Sequence, residues 1–462
     1  MAMKTLAKLL FLVVALTSSQ LLHAQNTSEA ILNNWLTAFN SSDPADLKNY
    51  YEKMGYPYVK ERVMNVRRTS GGFELLKMVT ADENSVVGIV TEKNSDMIGE
   101  LHIDLSDNGT KIKAFSIRGM PRPDEFAIPR LSQQAVIKAV ADKAEELNQQ
   151  DLFSGNILIT KNREILLEKS VGYENRDNKV LNSKATKFRL GSMNKMFTAV
   201  ATLQLVDAGK LKLDATIGEY LPDYPNEATK NQVTIRHLLN HTGGTGDFFG
   251  PNWAKDRLEL KTHSDYVAKF GQRAPLFEPG SQFRYSNYGF VLLGAIIEAV
   301  TKQTYYDYVQ NQILNPLDMK DTGFYPESSE VGHRSKGYMW KDEGWVGNED
   351  TLPWRGMAAG GGYSTTGDLL KFAYALLDNK LISEATFKQA LTPAKQGYGF
   401  GFGIRGEGEL LFFGHNGGAP GMSTDFRIYP NSGYIVICLS NYDPPAGGML
   451  PMYFENRMPI GE

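Results

Sequence analysis

Residues 188–205 read Phe188-Arg189-Leu190-Gly191-Ser192-Met193-Asn194-Lys195-Met196-Phe197-Thr198-Ala199-Val200-Ala201-Thr202-Leu203-Gln204-Leu205. The apolar run from Met196 predicts a helix, the residues before Gly191 read as a short strand, and Gly191 supplies the turn between them. A serine at a helix start often only caps backbone donors. Here a lysine follows three residues later, and in a helix that spacing puts both side chains on one face. The free N–H groups and positive dipole of a helix start favour a developing anion. A lysine held there, out of bulk water, tends to lose its proton and become a base. Ser192 to Lys195 is the only Ser-x-x-Lys in the chain.

Working outward, 462 residues suggest two to three domains. The charge is balanced, 49 Lys+Arg against 52 Asp+Glu, with no long block of one sign, so nucleic-acid binding has no support. Lys4 and Lys8 ahead of the apolar stretch Leu9 to Leu16, then Leu22-His23-Ala24, read as a signal peptide over residues 1–24. Periplasmic or secreted residence is therefore expected, with no transmembrane segment, since no apolar run approaches the ~20 residues a span requires. The single cysteine, Cys438, lies in the apolar run Tyr434 to Leu439 and reads as a buried strand residue; no internal disulfide is available.

From residue 25 to about 120, helical spacing at Ile31, Leu32, Trp35, Leu36 and Phe39 and a second short helix at 47–51 are followed by four alternating runs. These are 73–80, 86–91, 97–105 and 111–117, separated by turn-rich pieces. A small α+β unit is expected, followed by a stiff proline-rich linker over 121–130. From residue 131 to 462 the order is an amphipathic helix (131–147), a hairpin (155–160 with 164–170), a helix-rich middle, and terminal strands at 410–414, 424–429 and 434–440. That order lets both ends of the domain share one sheet. The glycine-alternating segment Gly397 to Gly403 reads as a further strand near a site.

From about residue 131 to 445 the chain resembles the class C β-lactamase and penicillin-recognising serine hydrolase family. Gly191-Ser192-Met193-Asn194-Lys195 is similar to its first motif. Gly209-Lys210-Leu211, Thr234 to Gly243, and Tyr285-Ser286-Asn287 after Glu278-Pro279-Gly280 follow in the family's order. Tyr-x-Asn also occurs at Tyr173, Tyr224 and Tyr429, so context alone selects Tyr285. Gly360-Gly361-Gly362 before Asp368 is a further landmark, serving as wall or scaffold. The family's Lys-Thr-Gly or Lys-Ser-Gly is missing; His415-Asn416-Gly417-Gly418 occupies its place in the order, while His241-Thr242-Gly243 reads as a structural loop.

The resemblance implies an α/β (α+β) fold, an antiparallel sheet flanked by helices, with the N-terminal unit weakly similar to the cone-shaped nuclear-transport-factor-2 type. It implies Ser192 as nucleophile, Lys195 and Tyr285 as base and acid, and Asn287 orienting substrate and lysine. His415, Gly417 and Gly418 would line the substrate strand, with the N–H groups of Ser192 and Gly418 as oxyanion hole. Tyr285 is expected to have its pKa lowered by the lysine. The chemistry is acyl transfer on an ester or amide (peptide or β-lactam-like) substrate, and it requires no metal or organic cofactor.

Competing chemistries lack their motifs. There is no Gly-x-Ser-x-Gly elbow, no His-Glu-x-x-His and no His-x-His cluster with ligand spacing. The alternative of another class is an inactive protein of this fold that binds peptides or cell-wall fragments. His415 in place of lysine removes a fixed cation for a substrate carboxylate, which favours ester or amide hydrolysis over β-lactamase activity. The N-terminal unit is a candidate for pairing subunits into a homo-oligomer, shaping access, or holding ligand.

Overall fold

The computed structural model describes residues 28–106 and 109–461. The leader expected over 1–24 lies outside the described residues. The chain divides into two compact units, one ending at Pro129 and taking up Lys341–Glu343, the other formed by Arg130–Trp340 and the residues from Gly344 onward. No helix among the described residues is long and apolar enough to cross a membrane.

In the first unit a helix over residues 28–40 is followed by Pro44–Lys53, started by an Asp43 cap and a proline in its first turn. Four strands, Phe73–Ala81, Ser85–Glu92, Ile98–Ser106 and Lys111–Gly119, pair in sequential antiparallel order. Leu32, Trp35, Phe39, Val86, Val90, Leu101 and Ile103 form its core. A third helix, Lys60–Ser70, was not legible in the sequence. It carries Lys60, Glu61, Arg62, Arg67 and Arg68 with few apolar positions, so its periodic signal is weak.

The second unit is built on a six-stranded antiparallel sheet. Its order is Gly403–Arg405, Phe412–Ala419, Met422–Ile428, Tyr434–Ser440, Gly155–Lys161, Glu164–Val171. The first hairpin and the last strands thus meet in one sheet, with Cys438 opposite Ile157. Both faces of the sheet are covered. Ile157, Ile159, Val436 and Cys438 pack with Val140, Leu147, Leu450 and Phe454 of the helices Gln133–Gln149 and Ala446–Glu455. Leu158, Ile437 and Leu439 point the other way, into a core shared with helices Lys195–Asp207, Asn287–Thr301 and Thr366–Leu377. Burial on two faces with a side-chain period of two is why these strands read as unbroken apolar runs.

One element differs from expectation. Residues 397–402 form a turn and bends with a single bridge from Tyr398 to Gly403, and only Gly403–Arg405 is a strand. Left-handed backbone at Gly397 and Gly401 breaks the extended run, and a Cβ at Gly401 would lie 2.4 Å from Ala199 Cβ.

Candidate active site

The short strand Phe188–Arg189 pairs with Tyr363–Ser364, and the chain then reverses at Gly191, whose φ is +56°. A side chain there would be strained by the backbone, and its Cβ would also lie 3.2 Å from Gly418 N. Residues Gly191–Asn194 form a 3₁₀ turn that runs into the helix Lys195–Asp207. In a 3₁₀ turn side chains three apart eclipse, which aligns Ser192 with Lys195 more directly than an α-helix would. Ser192 Oγ is 3.2 Å from Lys195 Nζ.

Lys195 is fully buried. Its Nζ lies 2.7 Å from Asn287 Oδ1 and 2.5 Å from the Ala359 carbonyl oxygen, and 4.7 Å from the centre of the Tyr285 ring. Burial lowers its pKa from 10.5 to about 7, opposed by the charge of Asp247. A neutral amine has two N–H donors and one lone pair. Two oxygens here, Asn287 Oδ1 and Ala359 O, can only accept, so both N–H bonds are spoken for and the lone pair is left for the Ser192 hydroxyl.

Asn287 begins the long apolar helix Asn287–Thr301, capped by Ser286, whose Oγ accepts from Gly289 N–H at 2.9 Å. Its amide bridges Lys195 and Asp247: Oδ1 accepts from the Lys195 amine, and Nδ2 donates to Asp247 Oδ2 at 2.8 Å. Asp247 was not singled out in the sequence. Its only signal is its position at the end of the glycine-rich run that follows His241-Thr242.

Tyr285 shares a hydrogen bond with Ser192, but its pKa moves opposite to expectation: burial pushes the phenol up. The cost of desolvating a phenolate outweighs that one stabilising bond, so Tyr285 is held as a neutral phenol. His241 packs against Tyr285 with ring centres 4.2 Å apart and planes tilted by 40°, and its Nδ1 accepts from Ser286 N–H at 3.1 Å.

His415 lies within the strand Phe412–Ala419 rather than beyond it. Its Nε2 is 2.9 Å from Tyr398 Oη and its Nδ1 is 2.6 Å from the Asn416 carbonyl, so Nδ1 donates and Nε2 accepts. Burial, aided by the Lys195 charge, lowers its pKa to about 3, and the ring is neutral.

Ser192, Tyr285, Asn287 and Gly418 line one cavity of 410 Å³, whose walls include Phe248, Trp253 and Met357. His415 lines a different cavity of 420 Å³, together with Tyr285, Tyr398 and Asn416. His415, expected with Gly417 and Gly418 along the substrate strand, meets the serine's cavity at Tyr285, which lines both, and Gly417 lies beneath the Gly191 turn, where a Cβ would come within 2.0 Å of the Leu190 carbonyl. Ser192, Lys195, Tyr285 and Asn287 are brought together, with Gly418 in the wall beside them.

A family model, described as Beta-lactamase, matches residues 136–453. A penicillin-binding protein of Bacillus subtilis (strain 168) is 31% identical over 327 residues, covering 64% of this chain and 70% of that one. Among solved structures, a penicillin binding protein from Bacillus halodurans aligns with a TM-score of 0.62 at 29% identity, covering 69% of this chain and 99% of that one. A D-stereospecific amidohydrolase from Streptomyces sp. aligns with a TM-score of 0.57 at 25% identity, covering 70% and 98%. The chain belongs to the β-lactamase family, the serine hydrolases of β-lactamase and penicillin-binding-protein fold. Its mixed α/β architecture, an antiparallel sheet flanked by helices, is that of these neighbours.

Proposed function

We propose that Ser192 is the nucleophile of an ester or amide hydrolase that works through a covalent acyl-enzyme. The observation that carries this reading is the buried Lys195 amine, 3.2 Å from Ser192 Oγ with its other two directions filled by acceptor oxygens. With a pKa of about 7, much of it is neutral at physiological pH and accepts the Ser192 proton as Oγ attacks the carbonyl. The negative oxygen that forms is held by the N–H groups of Ser192, at the start of the 3₁₀ turn, and of Gly418. Tyr285, a phenol hydrogen-bonded to Ser192, passes its proton to the leaving atom and regains one from the Lys195 ammonium. Water then attacks the acyl group by the reverse route.

The neutral His415 offers no fixed cation where the family commonly has lysine, which supports esters or amides over β-lactams as substrates. Export by the residue 1–24 leader, to the periplasm or beyond the cell, completes the reading and rests on sequence alone. Nitrocefin, p-nitrophenyl acetate and butyrate, and D-Ala-D-Ala peptides, each tested with wild type and Ser192→Ala, decide the substrate class. Ester or peptide turnover that vanishes in Ser192→Ala is expected. Dominant nitrocefin turnover overturns the substrate preference, and no Ser192-dependent turnover on any of them favours a non-catalytic binder.

A further inference from the structure

Among the described residues, three charged side chains line the Ser192 cavity: Arg189, Glu327 and Arg355. Two of them neutralise one another. Arg189 Nη2 is 2.8 Å from Glu327 Oε2, its Nε is 3.2 Å from the same oxygen, and its Nη1 donates to the Ser335 carbonyl at 2.7 Å. Arg334 supplies a second cation 3.6 Å from that carboxylate.

Arg355 is different. Among the described residues no carboxylate lies within ion-pair distance of it; its one hydrogen bond runs from Nε to the Phe324 carbonyl. Its guanidinium carbon sits over the Tyr306 ring, 3.4 Å from the centre, and Tyr306 is itself tied to the Gly356 carbonyl at 2.9 Å. The nearest acidic influence, Asp307, acts only at a distance, and desolvation lowers the guanidinium's pKa. Arginine remains charged in proteins regardless. A cation is therefore half-buried, held over an aromatic ring, and without a counter-charge among the described residues, in the wall of the cavity that holds the nucleophile. Much of the remaining wall is apolar, formed by Phe248, Phe249, Trp253, Leu352, Met357 and Met422, with the polar side chains of Thr351, Asn287 and Ser192 beside it.

We propose that Arg355 is a specificity-determining residue that pairs with a carboxylate on a substrate whose body is otherwise apolar. The proposal rests on the hydrolase reading of Ser192 and names the substrate class for it: an ester or amide with an apolar body filling the aromatic wall and an anionic group meeting Arg355. A planar guanidinium already fixed by stacking loses little freedom on binding, and its free Nη donors match a carboxylate in paired geometry. The cavity, at 410 Å³, falls within the roughly 300–1,000 Å³ typical of small-molecule sites.

Two experiments test it, one of which needs no turnover. In calorimetry, 4-phenylbutyrate should bind the wild type at least roughly tenfold more tightly than 4-phenylbutanol, and the difference should vanish in Arg355→Gln and return in part in Arg355→Lys. In kinetics, the ratio of kcat/KM for p-nitrophenyl hydrogen glutarate to that for p-nitrophenyl valerate should fall by a similar factor in Arg355→Gln. A ratio that stays constant while both rates fall assigns Arg355 a merely structural role and overturns the proposal, as does equal binding of acid and alcohol by wild type. Loss of all Ser192-dependent turnover with the acid preference intact in calorimetry would instead refute the hydrolase reading and leave the anion site standing.

Discussion

Asp247→Asn isolates the electrostatics on which a working Lys195 depends. Asp247 is the charge that raises the Lys195 pKa against burial. Two hydrogen bonds in series, 2.7 Å and 2.8 Å on either side of the Asn287 amide, separate the groups. At roughly 7 Å and an effective dielectric of roughly 20–40, their attraction is about 1–2 kcal/mol, or about one pKa unit. An asparagine keeps an oxygen to accept the Asn287 N–H but removes the charge, so Lys195 should fall from about 7 towards roughly 6. The reactive form of lysine is the neutral one, present above its pKa. The acid limb of reactivity should therefore move down by about one unit, and the variant should keep more of its maximal rate at pH 6 than the wild type. The assay is the second-order rate of Ser192 labelling by an uncharged fluorophosphonate between pH 5 and 9, which adds no titrating group of its own. An acid limb that stays in place, or moves up, refutes the reasoning.

Three further expectations can be checked with similar means. Tyr285→Phe removes the phenol bonded to Ser192 and should lower kcat/KM by roughly 10²–10³ without moving the acid limb; a shifted limb would mean that Tyr285 is the titrating base. Gly191→Ala places a Cβ on left-handed backbone and 3.2 Å from Gly418 N, so thermal unfolding should show a loss of about 1 kcal/mol or more together with impaired labelling; full stability and activity would contradict that packing. His415 titrates at about 3 when folded against 6.5 when free, so the unfolded chain binds its proton first as pH falls. Its contribution to stability is complete above pH 6.5 and is lost towards pH 3, at about 1.4 kcal/mol per unit. His415→Gln should flatten the urea-measured slope between pH 4 and 6 by about one proton, and an unchanged slope would count against a buried neutral ring.

Much of this was legible in the chain because the signals were local. The strands around Ile157 and Ile437 are buried on both faces and read as continuous apolar runs, and the Ser192 to Lys195 spacing fixes a shared face whether the turn is 3₁₀ or α. What the sequence hid depends on distant parts of the fold. Asp247 matters through an amide 40 positions along the chain, and the Ala359 carbonyl, a backbone group, carries no residue signature at all. The sign of the Tyr285 shift was missed because a nearby cation is visible as a motif whereas the desolvation that outweighs it is a property of packing. His415 was read from motif order alone, and its bond to Tyr398 Oη, made by a separate segment of the chain, carries no local signal.

The central claim is that Ser192 carries the acyl group, and intact-protein mass spectrometry after fluorophosphonate treatment tests it most directly. One adduct on the wild type, mapped to the peptide containing Ser192 and missing from Ser192→Ala, is the predicted result. Equal labelling of both proteins, or an adduct mapped to another serine, would contradict it.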